Sequence, residues 1–253
     1  MGFKITKIEY DSNKKPLKEE VQRIAEQLTS DLSGFANIET NLSDSTSTIN
    51  LYLPGESSAS QTVRLSISFS SSSNTISCNY YSSSSQLFLS IDSSYGLANM
   101  DIYEGRTYIK IFCSDNKNQI YCVSENPSNG NSTCPLGIIK AHDQFSNNEN
   151  YFFTTHDRFS AYHIYKQVSH YDSYIGRTQE ITGLGIDGYV MSRMLLYDNG
   201  STAPAHCCID DVYIMKYNRG KCDIHADSFS IGGHNFAPIG SSDAGYEMFA
   251  LLD

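Results

Sequence analysis

The sequence predicts a mainly β protein, an antiparallel sandwich or barrel-like fold with one amphipathic helix near the N-terminus. Three observations predict it. Apolar residues alternate with polar ones over short runs along most of the chain, the period of a strand with one buried face. Gly, Pro, Asn and Ser clusters punctuate those runs at the spacing of short antiparallel strands. The chain carries 18 Tyr and 12 Phe but no Trp, and aromatic residues favour pleated surfaces over long helices. A parallel sheet would need helices between strands, and no such periodicity follows the first helix.

The elements follow in order. FKITKIEY at 3–10 reads as a short extended segment. Pro16 suits a first helical turn, and Leu17, Val21, Ile24, Leu28 and Leu32 form one stripe. Glu19 and Arg23 are spaced as an i,i+4 ion pair, and Gly34 is placed as the stop. The period then becomes two. Ile49, Leu51 and Leu53 precede a Pro54–Gly55 turn. Val63 to Phe69, Ile76 to Tyr80 and Leu87 to Ile91 alternate between SSSS runs. TYIKIFC at 107–113 and QIYCVS at 119–124 flank Asp115–Asn116–Lys117–Asn118 as a hairpin. Residues 125–135 read as loop. Strands are expected at 136–141, 150–155, 161–168, 189–197, 210–217, 222–231 and 246–252, with a Gly-rich stretch at 176–188. A boundary is read near residues 95–105. It divides a Ser-rich region with the helix (1–95) from a Tyr-, His- and Gly-rich region (96–253), with one continuous domain as the alternative.

Charge narrows the function. Acids outnumber bases 28 to 18, for a net charge of -10. A duplex binder needs Lys and Arg to displace counterions, so nucleic acid is not the expected partner, and anionic membrane surfaces are disfavoured alike. No run approaches the roughly 20 apolar residues of a membrane span. MGFKITKIEYDSNKK lacks the apolar core of a secretory signal. The seven cysteines are irregularly spaced, which fits free thiols in a reducing compartment rather than a disulfide framework.

Several patterns carry chemistry on paper. HDQFS at 142–146 recurs as HDRFS at 156–160. His beside Asp suits a metal site or an oriented base, but neighbours on a strand face opposite ways. The plainer reading is a repeated strand end with Phe145 and Phe159 buried. His206 and Cys208 with the C-x-x-H pair Cys222 and His225 could supply four zinc ligands. Against that, Cys207–Cys208 are poorly spaced for chelation, and buried thiols are the plainer reading. GLGIDG at 183–188 matches a dinucleotide-binding turn by letters only, since YVMSRMLLY after it is strand-like. No catalytic set, cofactor or metal is expected. Tyr162, Tyr165, Tyr171 and Tyr174 sit near strand ends and loops, where exposed Tyr beside Asn and Ser contacts proteins or sugars. The helix stripe Leu17, Val21, Ile24 and Leu28 either covers the sheet or docks on a neighbour.

The Ser- and Asn-rich strands TINLYLPGESSASQTVRLSISFSSSSNTISCNYY and the ending DIHADSFSIGGHNFAPIGSSDAGYEMFALLD give the chain a layout. That layout resembles virion structural proteins of tailed bacteriophages, in the tail, neck or baseplate. Phe229, Ile231, Gly233 and Phe236 fill an F-x-I-x-G-x-x-F strand pair, followed by the apolar Met248–Leu252 run. The resemblance implies a non-enzymatic particle component, assembled in the host cytoplasm and working through contacts with other virion proteins, as a homo-oligomer or symmetric ring. A carbohydrate- or receptor-binding β module for a host surface glycan is the alternative, with its site near the 125–180 loops. A metal-dependent hydrolase using His142, His156, His206 or His225 is the third reading.

Overall fold

The computed structural model describes residues 2–11, 17–60, 63–71, 75–81, 98–101, 106–125, 136–143, 148–154, 160–163, 167–169, 191–198, 205–216, 228–231, 233–241 and 246–253. Among these residues the fold is antiparallel β with one helix. A five-stranded meander comprises β2 (Asn37–Asn41), β3 (Thr46–Tyr52), β4 (Arg64–Ser70), β5 (Thr75–Tyr81) and β6 (Ala98–Asp101) in that order.

The larger sheet contains β1 (Phe3–Asp11), β7 (Arg106–Ser114), β8 (Gln119–Glu125), β9 (Leu136–Asp143), β10 (Asn148–Thr154), β11 (Ser160–His163) and β12 (Gln167–Ser169). It continues with β13 (Met191–Asp198) and β14 (Ala205–Lys216), then ends in the order β17 (Tyr246–Leu251), β16 (His234–Ser241) and β15 (Phe229–Ile231). The stretch read as one strand at 161–168 is divided between β11 and β12. β2 and β6 were not expected. β2 reads NIETN and has a single apolar residue, too few to set a period. The strand expected at Leu87–Ile91 lies outside the described residues, as do Phe145 and Phe159.

The helix α1 (Leu17–Asp31) fills the space between β1 and the meander. Val21, Ile24, Leu28 and Leu32 are fully buried, in one core with Ile8 and Tyr10 of β1, Ile49 and Leu51 of β3, and Ile67 and Phe69 of β4. Leu17 packs against the same core. The stripe therefore covers the chain's own sheets, the first of the two roles read for Leu17, Val21, Ile24 and Leu28. Gly34, at φ +79°, ends the helical turn in the left-handed conformation that favours glycine.

The Glu19–Arg23 pair is also corrected. Arg23 instead holds Glu20 at 2.7 Å, because its guanidinium turns toward β1 and donates to the Glu9 carbonyl at 2.7 Å. Gln27 donates to the Lys7 carbonyl in the same way at 3.4 Å. The helix thus caps outward carbonyls of an edge strand that would otherwise recruit another chain.

β1 pairs with β7 over nine residues, Phe3↔Ser114 to Asp11↔Arg106. The N-terminal strand is therefore laid into the sheet built after residue 106, and both sides of the boundary read at 95–105 share one core. β7, β8 and β9 form a middle layer with two dry faces. Ile109, Ile111, Cys113, Ile120, Cys122, Leu136 and Ile138 face the helix and the meander. Phe112, Tyr121 and Ile139 face a second core with Met194, Leu196, Ile209, Val212, Ile239 and Met248, where the sheet's second half packs over its first. Burial on both faces explains why YIKIFC and QIYCV are nearly continuous in apolar residues.

A polar tie also fastens the two sheets. Tyr151 donates its hydroxyl to Glu56 Oε1, and Lys140 Nζ lies 3.5 Å from the same oxygen. At the C-terminus, β15 and β16 form a hairpin with Phe229↔Phe236 and Ile231↔His234, and Gly233 stands at φ +85°. Gly2 meets the end of β17 so closely that a Cβ would lie 2.5 Å from the Leu252 carbonyl carbon.

Candidate functional site

The site is built by an irregularity in β14. Arg193 pairs with Tyr213, but Leu195 pairs with Cys208, so residues 209–212 all lie opposite Met194. Such a bulge breaks the ladder and bends the strand. Asp211 takes up the bend at φ 58°, a left-handed conformation that Asp tolerates better than most residues.

The bulge frees the main-chain oxygen of Asp210 for a side-chain partner. Gln119 Nε2 donates to it at 2.9 Å. Gln119 is 1% exposed. Its Oε1 accepts from the Tyr121 hydroxyl at 2.8 Å, and its own amide donates to Ser114 Oγ at 3.0 Å. The result is a buried polar chain from β8 to the bulge in which each group has a partner, the condition for tolerating polar atoms in a core. Complete burial, with Cys207 nearby, holds the Tyr121 phenol well above its ordinary pKa, so it acts as a fixed donor.

A cleft of about 460 Å³ opens beside this chain, between the β7–β8 turn, β9 and the bulge. Ile139, Ala141, Leu195 and Ile209 give it an apolar side, and Asn118, Gln119, His142, Cys207, Cys208 and Asp210 its polar groups. Asn118 Oδ1 accepts from Ser114 Oγ at 3.2 Å. Among the described residues the Asn118 side-chain nitrogen has no partner, nor has the His142 imidazole or the Asp210 carboxylate. His142, Cys208 and Asp210 are exposed. Burial, together with the Asp210 and Asp115 carboxylates, raises the Asp211 carboxyl above its ordinary pKa.

The residues singled out from the sequence fall as follows. His206 and Cys208 lie on β14, while Cys222 and His225 are outside the described residues. Cys207 packs against the second core and Cys208 is exposed, so the adjacent thiols part to opposite faces of the strand. Among the described residues no group of three or more His, Cys, Asp or Glu could hold a metal ion. His142 is the penultimate residue of β9, and His156 is outside the described residues. Tyr162 lies on β11; Tyr165, Tyr171, Tyr174 and GLGIDG are outside them. Sequence reasoning gave no site role to Asn118 and Gln119, which stand at a turn and a strand start, and read Asp210 as a solvated turn or strand-end acid, whereas it lies inside β14 at the bulge. The doublet Asp210–Asp211 inside an apolar run was the one visible sign of a bulge.

Among the described residues no helix is long and apolar enough to cross a membrane. No protein-family model, curated protein or solved structure matches the chain.

Proposed function

We propose that the chain is a non-enzymatic structural component of a tailed-bacteriophage particle, in the tail, neck or baseplate, working through subunit–subunit contacts. The observation that carries this reading is the C-terminal ending. The F-x-I-x-G-x-x-F residues form the β15–β16 hairpin turned at Gly233, with the apolar β17 as its other neighbour. This is the layout on which the resemblance to virion proteins rests.

The sheet edges support the same reading. The meander ends in β2 and β6, and the larger sheet in β1 and β15. Helix side chains cap β1. β2 has no proline and a single charged residue, Glu39, so little besides its five-residue length guards that edge. With the helix stripe buried inside the chain, contacts run through sheet edges and exposed loops, to other virion proteins or to further copies in a symmetric ring. The chain assembles in the host cytoplasm and resides in the virion.

Light scattering of the purified chain, alone and mixed with dissociated particle proteins, tests this. The expected result is self-association or co-assembly. A chain that stays monomeric and joins no particle protein contradicts the reading.

A further inference from the structure

We propose that the cleft between the β7–β8 turn, β9 and the β14 bulge binds an uncharged saccharide. The cleft's volume, about 460 Å³, falls within the range of small-ligand sites. Its chemistry then selects the class. No Lys or Arg is among the described residues that line it, and Arg193, beside Cys208, bonds first to Tyr213, so a phosphate or carboxylate ligand would meet the Asp210 carboxylate with no cation in the lining to offset it. No metal-holding group is present among the described residues to reverse that sign.

The remaining polar groups suit hydroxyls. The Asp210 carboxylate accepts two hydrogen bonds, the Asn118 side-chain nitrogen donates, and the His142 imidazole does either. Ile139, Ala141, Leu195 and Ile209 supply the apolar part of the lining. A pyranose has the matching form, hydroxyls around its rim and an apolar C–H face.

The site is also held in place before any ligand arrives. Asp210 is anchored by its main-chain oxygen on Gln119, and Asn118 by Ser114 through both its main-chain amide and its Oδ1. Fixing the contact groups in advance lowers the ordering cost of binding. A chain that never enters a particle would still bind through this cleft, so the saccharide site and the particle assignment fail separately.

The test is an amide NMR titration of the full chain with the methyl glycosides of glucose, galactose, mannose and N-acetylglucosamine, and with glucuronic acid as the charged control. The expected result is saturable shifts at Asn118, Gln119, His142 and Asp210 with at least one neutral glycoside. Asp210→Asn and Asn118→Ala should each weaken that binding by about tenfold. Asp210→Asn keeps the shape and the main-chain oxygen that Gln119 uses, and the exposed side chain makes it safe for folding. The proposal is overturned if no neutral glycoside moves these amides, if glucuronic acid binds as well as the neutral sugars, or if both variants bind as the parent does.

Discussion

Gln119 and Asp210 are 91 positions apart in sequence, yet the Gln119 carboxamide donates to the Asp210 main-chain oxygen at 2.9 Å. This bond ties the middle layer of the fold to the bulge that opens the cleft. Gln119→Leu would strand both the Tyr121 hydroxyl and the Asp210 carbonyl without partners in a dry interior. Each such orphan costs about 1–3 kcal/mol, so the variant is expected to lose about 3 kcal/mol in denaturant unfolding. Adding Tyr121→Phe removes one orphan. The double variant should therefore be more stable than the sum of the two single losses predicts.

Gly2 is a second point where backbone meets backbone. A Cβ there would lie 2.5 Å from the Leu252 carbonyl carbon and 2.8 Å from the Asp253 nitrogen. Gly2→Ala is expected to destabilise the chain by about 1–3 kcal/mol, the usual cost of overpacking. Amide exchange should show the loss concentrated where β17 ends.

The helix stripe separates covering from docking by experiment. Ile24 and Leu28 are fully buried in the first core. Leu28→Ala should lower the stability of the isolated chain by about 2–5 kcal/mol, read as a shift of the unfolding midpoint at unchanged oligomeric state. A stripe that served only a neighbour would leave the isolated chain's stability untouched.

Alkaline pH should unfold the protein through groups held neutral in the core. Burial pushes the Cys113 thiol from about 9 up to about 12, and Tyr121 is raised as well. A raised folded-state pKa means that the native state keeps a proton the unfolded chain releases. Stability is then intact below about 9 and falls as pH rises toward about 12. Denaturant titrations across that window should show the decline. At mildly alkaline pH a thiol reagent should label the exposed Cys208 well before Cys113.

The β character, the helix and its stop were legible because each rests on local chemistry. Val21, Ile24 and Leu28 fall at helical spacing, Gly34 takes a positive φ, and Leu65, Ile67 and Phe69 alternate onto one buried strand face. What was not legible is long-range. Nothing local to Phe3–Asp11 says that it pairs with Arg106–Ser114. The Glu19–Arg23 spacing was right for a pair, but the Glu9 carbonyl drew Arg23 to Glu20 instead. The cleft was invisible for the same reason. The β8–β9 ladder sets Asn118 near His142, and Asp210 joins them only because the larger sheet folds over itself.

Whether this chain is built into a phage particle is tested most directly by quantitative mass spectrometry of purified particles, from an infection in which the chain is expressed. The chain is expected in the particles, at a fixed copy number characteristic of a symmetric ring. Its absence from purified particles, while it is plentiful in the lysate, would contradict the particle assignment.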